Sequence, residues 1–326
     1  MAVSKDDIER VFRAEHGRAV GVLVRIFGNL DVAEDSVQDA FAAALEQWPN
    51  NGAPPSPIGW IITTAKNGAI DRLRRESTRA DRHRKAALLQ AIDEPAEDET
   101  MRDDTLRLIF ACCHPALAVT AQVALTLRHV CGLSTSAIAR AFLVPEATLS
   151  QRLVRAKSKI RDAHIPFRIP DLSELPERVR AVLATVYLTF NEGYTASSGE
   201  RLVRDELCSE AIRLGRLLAE LLPDTPEVQG LLALMLLIES RRAARTAADG
   251  SMIRLRDQDR TTWDQTLVLE GQAIVRACLQ RNEPGPYQIQ AAIQAVHSDA
   301  ASASATDWRQ IIQLYDHLLV LAPSPI

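Results

Sequence analysis

The chain has 326 residues, of which 47% are hydrophobic and 25% charged, and a net charge of −4. That balance suits a soluble globular protein of two or three domains and excludes a disordered chain. The longest unbroken apolar run, 231–238, is far short of the roughly 20 residues that span a bilayer, and five cysteines lacking framework spacing fit a reducing compartment.

The opening residues, MAVSKDDIER, hold no apolar signal core, so a cytoplasmic location without membrane contact is expected. Ala and Leu dominate, and apolar residues recur at steps of three and four. The expected class is therefore all-α. The punctuation divides the chain into a first block at 1–85, a linker at 86–104, a second block at 105–164, a connector at 165–171 and a third block at 172–326.

In the first block, Ala33, Val37, Phe41, Leu45 and Trp48 form an apolar stripe, with Glu34, Asp35, Gln38, Asp39 and Glu46 as an acidic exterior. Such a face is poor for DNA and suits a basic protein partner, although a charge run is more often a plain solvated face. A turn-rich segment, 49–57, is expected as loop. The next helix, from about Ile58, uses Ile62, Ala65, Ala69 and Leu73 for packing and carries Lys66, Asn67, Arg72, Arg74 and Arg75. Trp60 beside these bases suits single-stranded nucleic acid, with a core anchor as the equal alternative. Trp60–Lys85 has a net charge of +5, and the acidic stretch Asp93–Asp104 has −6.

Arg140–Arg161 is again basic, at +5. Ser134 is placed to cap a short helix through Phe142, 143–145 is a turn, and a second helix runs from Glu146 to Arg161. Leu149, Leu153, Ala156 and Ile160 share its apolar side, while Thr148, Gln151, Arg152, Arg155 and Lys159 lie opposite. This is the pattern of a helix-turn-helix, in which the leading residues meet base edges and later ones meet phosphates. Gln151 and Arg152 are the candidate base readers; Arg155, Lys157 and Lys159 are candidate phosphate contacts. An ordinary helical hairpin with a basic face is the competing reading.

From Asp171 to the end the chain holds 15 Arg and 21 acids with no Lys. Pro176, Gly193, Pro223/Pro226, Gly250 and Pro284/Pro286 divide it into about six helical segments, without a clean repeat. Cys112-Cys113-His114 lacks the spread spacing of a zinc site, so buried packing is expected there, and no metal or cofactor is assigned. A pocket of Asn191, Glu192, Tyr194, Asp257, Asp259 and Trp263 would serve an enzymatic reading, but no catalytic motif accompanies it.

AEDSVQDAFAAALEQWP, PIGWIITTAKNGAIDRLRRES and LSTSAIARAFLVPEATLSQRLVRAKSKIR closely resemble bacterial sigma factors of the extracytoplasmic-function (ECF) group, the first two like its second conserved region and the third like its fourth. LTFNEGY, LCSEAIRLGRLLAELLPDTPEVQGLLALMLL, RDQDRTTWD and GPYQIQAAIQAVH resemble the subgroup with a C-terminal extension related to tetratricopeptide (TPR) repeats. The resemblance implies two small helical sigma domains, region 2 at 1–85 and region 4 at 105–164, followed by a TPR-like regulatory domain.

It further implies a non-enzymatic factor whose partners are promoter DNA and the RNA polymerase core, at the β′ clamp helices and the β flap. Glu34, Asp35, Gln38, Asp39 and Phe41 match the polymerase-docking helix, with Phe41 alternatively pure core. Asn50 and Asn51 open the loop that captures a flipped −10 base, and Trp60, Lys66, Asn67, Arg72, Arg74 and Arg75 match the helix beside the melted strand. The proline-rich loop departs from the family pattern. The helix from Glu146 matches the −35 reader, and the acidic linker the family's linker along the RNA path. Alternating charges in Asp249–Arg260 suggest a regulatory interdomain contact through Asp257, Asp259 and Arg260. A helix-turn-helix regulator that acts without polymerase is the alternative function.

Overall fold

The structure, a computed structural model, describes residues 4–76, 98–194, 205–247 and 251–323. These form compact units at 1–185 and 186–326. Among the described residues the only β feature is an isolated bridge between Thr246 and Met252. The expected all-α class is what is found.

The first unit opens with α1 (Lys5–Phe27), α2 (Leu30–Asn51) and α3 (Pro57–Glu76). A Ser4–Asp7 capping box starts α1, Gly28 ends it in the left-handed region at φ 63°, and the Asn29 side chain caps α2 through the Asp31 and Val32 amides. The expected stripe of α2 is buried at Ala33, Val37, Phe41 and Trp48, whereas Leu45 is exposed. The helix also runs further than expected. Pro49 removes one backbone donor, but the Gly52 amide still closes on the Trp48 carbonyl at 2.9 Å, so Asn50 and Asn51 form its last turn rather than loop. In α3 the packing residues are Ile61, Ala65 and Ala69, with Ile62 only partly covered.

Next come α4 (Asp98–Cys112), α5 (Val119–Leu125) running into a π turn (Thr126–Val130), α6 (Thr135–Ala141) and α7 (Glu146–Asp162). The acidic stretch read as linker is helical from Asp98, and its residues 93–97 lie outside the described residues. Cys112 and Cys113 are buried in apolar packing, as expected. Burial raises both thiols above their ordinary range, away from reactive thiolate. The start of α8 (Leu175–Tyr194) belongs to the same unit: Arg178 donates to the Phe110 carbonyl at 2.6 Å and Thr185 to Gln122 at 3.0 Å.

The second unit holds the end of α8, then α9 (Asp205–Leu221), α10 (Pro226–Glu239), α11 (Gln265–Arg281), α12 (Pro286–Asp299) and α13 (Trp308–Leu321). Its centre is α10, whose residues from Leu231 to Leu237 are all buried, so the helix is apolar all round. The Glu227 carboxylate caps α12, accepting from the Tyr287 and Gln288 amides at 3.1 Å. Ile311 of α13, flanked by Leu314 and Leu318, covers Ile289, Ile293 and Val296 of α12. Gly193, expected as a break, lies inside the last turn of α8, and Gly250 lies outside the described residues.

Candidate nucleic-acid interface

The helix-turn-helix is built as its sequence dictates. The Ser134 hydroxyl accepts from the Ala137 amide at 3.1 Å and starts α6. Leu143 then takes a left-handed backbone at φ 48°, and Pro145 is the N-cap of α7. Leu149, Leu153, Ala156 and Ile160 of α7 are buried. Thr148, Gln151, Arg155 and Lys159 are exposed, and Arg152 is partly covered. These polar residues face a shallow cleft whose other wall includes Ala118, Thr120 and Ala121. The front of α7 is therefore basic and solvent-facing, with small side chains beside it.

The α2–α3 face is partly closed on itself. Arg72 of α3 donates to Asp35 at 2.9 Å and to Asp39 at 2.8 Å. Asn50, Asn51, Asn67 and Arg74 are exposed, Gln38 and Lys66 are partly covered, and Arg74 lies 3.7 Å from Asp71. Arg75 is in α3, and its side chain lies outside the described residues. Trp60 is half-covered and stands edge-on to the buried Trp48 with ring centroids 5.5 Å apart. Phe41 is core. It is buried and meets Phe12 edge-on at 4.8 Å, because its position falls on the inner stripe of α2.

Comparison with known proteins follows this division. Sigma-70 region 2 matches residues 11–79, sigma-70 region 4 matches 107–160, and a family of unknown function, DUF6596, matches 178–279. A Rhizobium meliloti protein described as uncharacterized protein R00370 is 45% identical over 315 residues, covering 95% of this chain and 74% of its own. The probable ECF RNA polymerase sigma factor SigI of Mycobacterium tuberculosis is 29% identical over 171 residues, 49% of this chain and 56% of its own. The ECF RNA polymerase sigma factor SigK of a Mycobacterium species (strain JLS) is 25% identical over 164 residues, 48% of this chain and 79% of its own. The first half of the chain thus carries sigma-70 regions 2 and 4 and is similar to ECF sigma factors. The chain spans little more than half the length of the SigI relative, and no solved structure matches it.

Two charged residues of regions 2 and 4 depart from their expected places. Glu34, expected on the acidic exterior, is only 6% exposed. Its carboxylate accepts from Arg128 at 2.5 Å and from Gln38 at 3.1 Å, and lies 3.7 Å from the Lys157 ammonium. Lys157, expected among the phosphate contacts, instead pairs with Asp31. The cause is the helical period: position 157 is two residues, about 200°, from Arg155 and so points away from the basic front.

Sequence reading missed Asp31, Arg128, His16 and His129, which complete this cluster. His129 is fully buried, with Nδ1 3.4 Å from Glu34 but outside hydrogen-bond geometry, and neither ring nitrogen of His16 finds a partner. Burial, followed by the neighbouring Lys157 and Arg128 charges, holds the His129 pKa down to about 3. His16 is held at about 3 by burial, then by His129 and Arg128. Both imidazoles are neutral at physiological pH. The available signal was a basic pair, Arg128-His129, inside an otherwise apolar run.

In the C-terminal unit, Asp257 is exposed 3.5 Å from Arg256, and Asp259 caps the turn at Thr261 at 2.9 Å. Arg260 donates to the His297 and Ala300 carbonyls, and its guanidinium lies over the buried Trp263 ring at 4.6 Å. Arg260 thus anchors its own unit. Arg245 covers Tyr194 at 3.5 Å. Of the residues of the enzymatic reading, Tyr194 lies under Arg245, and Trp263 under Arg241 and Arg260. Among the described residues no cluster has the composition of a metal site, and no helix is long and apolar enough to cross a membrane.

Proposed function

We propose that this chain is a promoter-specificity subunit of bacterial RNA polymerase. Region 2 engages the core enzyme and the −10 element, region 4 reads the −35 element, and the C-terminal unit sets the level of initiation. The observation that carries this reading is the joining of sigma-70 regions 2 and 4 in one chain, with an exposed Thr148–Gln151–Arg155–Lys159 front on the second helix of the helix-turn-helix.

The roles follow from chemistry. Asp35, Gln38 and Asp39 offer acceptors to a basic helical partner. Asn50, Asn51 and Trp60 flank the turn where a flipped base would be held, with its Watson–Crick edge available only once it leaves the stack. Lys66, Asn67, Arg72, Arg74 and Arg75 supply attraction for the separating strands. Gln151 and Arg152 read base edges, and Arg155 and Lys159 hold phosphates. The factor binds and separates strands and performs no covalent step. Asp257, Asp259 and Arg260 remain the candidate control contact, Arg260 acting through the fold of its own unit.

Run-off transcription with core polymerase and a promoter library tests the proposal. Defined start sites that require this chain are expected. Duplex binding with neither core binding nor initiation would favour the regulator that works without polymerase. A shortened chain in parallel reports the sign of C-terminal control. It should end beyond Thr185, because a cut at the proline connector strips Arg178 and Thr185 from the first unit.

A further inference from the structure

The aliphatic residues of α7 do not all face inward. Leu149, Leu153 and Ile160 are buried, whereas Val154 is 59% exposed. Helical phase fixes where it points. At about 100° per residue, Leu149, Leu153, Ala156 and Ile160 fall within about 60° of one another. The line opposite them runs between Gln151 and Ser158, and Val154 and Arg155 stand about 50° to either side of it. Ala147, Gln151, Val154 and Arg155 on that arc are exposed, and Ser158, which accepts from Arg161 at 3.2 Å, is partly covered. From 147 to 155 the outward surface is therefore divided lengthwise. Thr148, Arg152 and Arg155 hold one edge, and Ala147, Ser150 and Val154 the other.

The basic edge suits phosphates and base acceptors, but the neutral edge needs a different target. Base edges in the major groove present hydrogen-bonding groups with one exception, the C5 methyl of thymine. That methyl is the feature an exposed aliphatic side chain can read there. Valine suits the task in two ways. In a helix it keeps one χ1 rotamer in about nine cases of ten, so contact costs it little conformational freedom. It is also short, and Ser150 one turn before and Ser158 one turn after are short as well, which lets the helix backbone come close to the bases.

We propose that Val154 is a specificity residue of α7 and packs on the C5 methyl of a thymine in the −35 element, beside the base edge read by Gln151 one turn earlier. The proposal rests on the promoter-specificity reading and deepens it. It adds a contact that distinguishes thymine from cytosine without using a donor or an acceptor.

The test uses holoenzyme reconstituted from core polymerase and the full chain, on promoter duplexes recovered by run-off transcription. Each thymine of the −35 segment is replaced in turn by deoxyuridine, which removes the methyl and keeps the hydrogen-bonding groups. One position should lower wild-type binding about fourfold, the worth of one buried methyl. Val154→Ala changes an exposed site to a better helix former, so the fold is retained. It should lower binding to the thymine duplex by a similar factor and lose nothing further on the uracil duplex. Thymine methyls that can each be removed without loss, or a Val154→Ala variant that still prefers thymine to uracil as the wild type does, would overturn the proposal. A chain that neither binds core nor selects a −35 sequence overturns the promoter reading and this contact with it. A sequence-selective holoenzyme indifferent to uracil overturns the contact alone.

Discussion

Arg152 and Arg155 lie three residues apart on α7 but differ in setting. Arg152 is partly covered near the start of the helix, and Arg155 is exposed further along. Arg152→Ala should cost about 1–3 kcal/mol on the preferred −35 sequence and relax selectivity at one base pair. Arg155→Ala should weaken all sequences alike and reduce the salt slope by about 1. Competition binding on a panel of single-base variants, repeated at two salt concentrations, separates the two. Equal loss on every sequence for Arg152→Ala would remove its base-reading role. A similar contrast holds in region 2. The Arg72 pairs with Asp35 and Asp39 are at the surface, with acid side chains 58% and 71% exposed, so Arg72→Ala should cost no more than about 1 kcal/mol of stability. Phe41→Ala empties a buried site and should cost about 3–5 kcal/mol. A loss of core binding in the first variant would therefore report an interface, and in the second a damaged fold. Thermal melts run beside the binding assays make that distinction.

At the scale of elements, α7 depends on its apolar side to present its basic one. Leu149 is wholly buried, and Leu149→Ala should cost about 2–5 kcal/mol. The measurable result is a lower denaturation midpoint together with loss of −35 binding, although no DNA-facing group has changed. This element was legible in the sequence because every cue for it is local: a Ser134 cap, a three-residue turn ending in proline, and four apolar positions at helical spacing. The α2 boundary was less legible. Proline and paired asparagines read as loop, but a proline in a last turn costs one bond, and the stop is the positive φ of Gly52 (81°). The Lys157 position could have been read from its phase on the helix. Glu34 could not. Its partner Arg128 lies 94 residues away, and periodicity describes one helix at a time, without saying which face of another helix will cover it. The same limit hid the Asp104–Arg25 pair and the close approach of Gly17 and Gly21 of α1 to the Val130 and Asp104 backbone, whose signal is only two glycines at i and i+4 in an otherwise ordinary helix.

At the scale of the whole first unit, the buried histidines give the cluster around Glu34 a pH dependence whose sign is fixed. His16 faces His129, Arg128 and Glu34; His129 faces Lys157, Arg128, Asp31 and Glu34. Both titrate near 3 when buried, against 6.5 when exposed, so the open or unfolded chain binds more protons below 6.5. Stability from keeping these rings neutral is complete above about pH 6.5 and is lost as pH falls from there towards 3. The slope reaches about 1.4 kcal/mol per pH unit for each histidine once the exposed form is fully protonated. Asp104 works in the opposite direction, because burial raises its carboxyl above 3.8 and folding then takes up a proton in acid. Its effect has the opposite sign, so a net fall in stability between pH 6.5 and 5.5 reports the imidazoles. Urea midpoints of the full chain should fall across that interval, and His129→Leu, which leaves an apolar group in an apolar site, should remove part of the fall, the rest coming from His16 and from His114 and His297, which burial also lowers. The two NMR imidazole signals should stay in the neutral form over the same range. A midpoint that stays level from 6.5 to 5.5, or rises, would mean that water reaches these rings and that the cluster around Glu34 is open in solution.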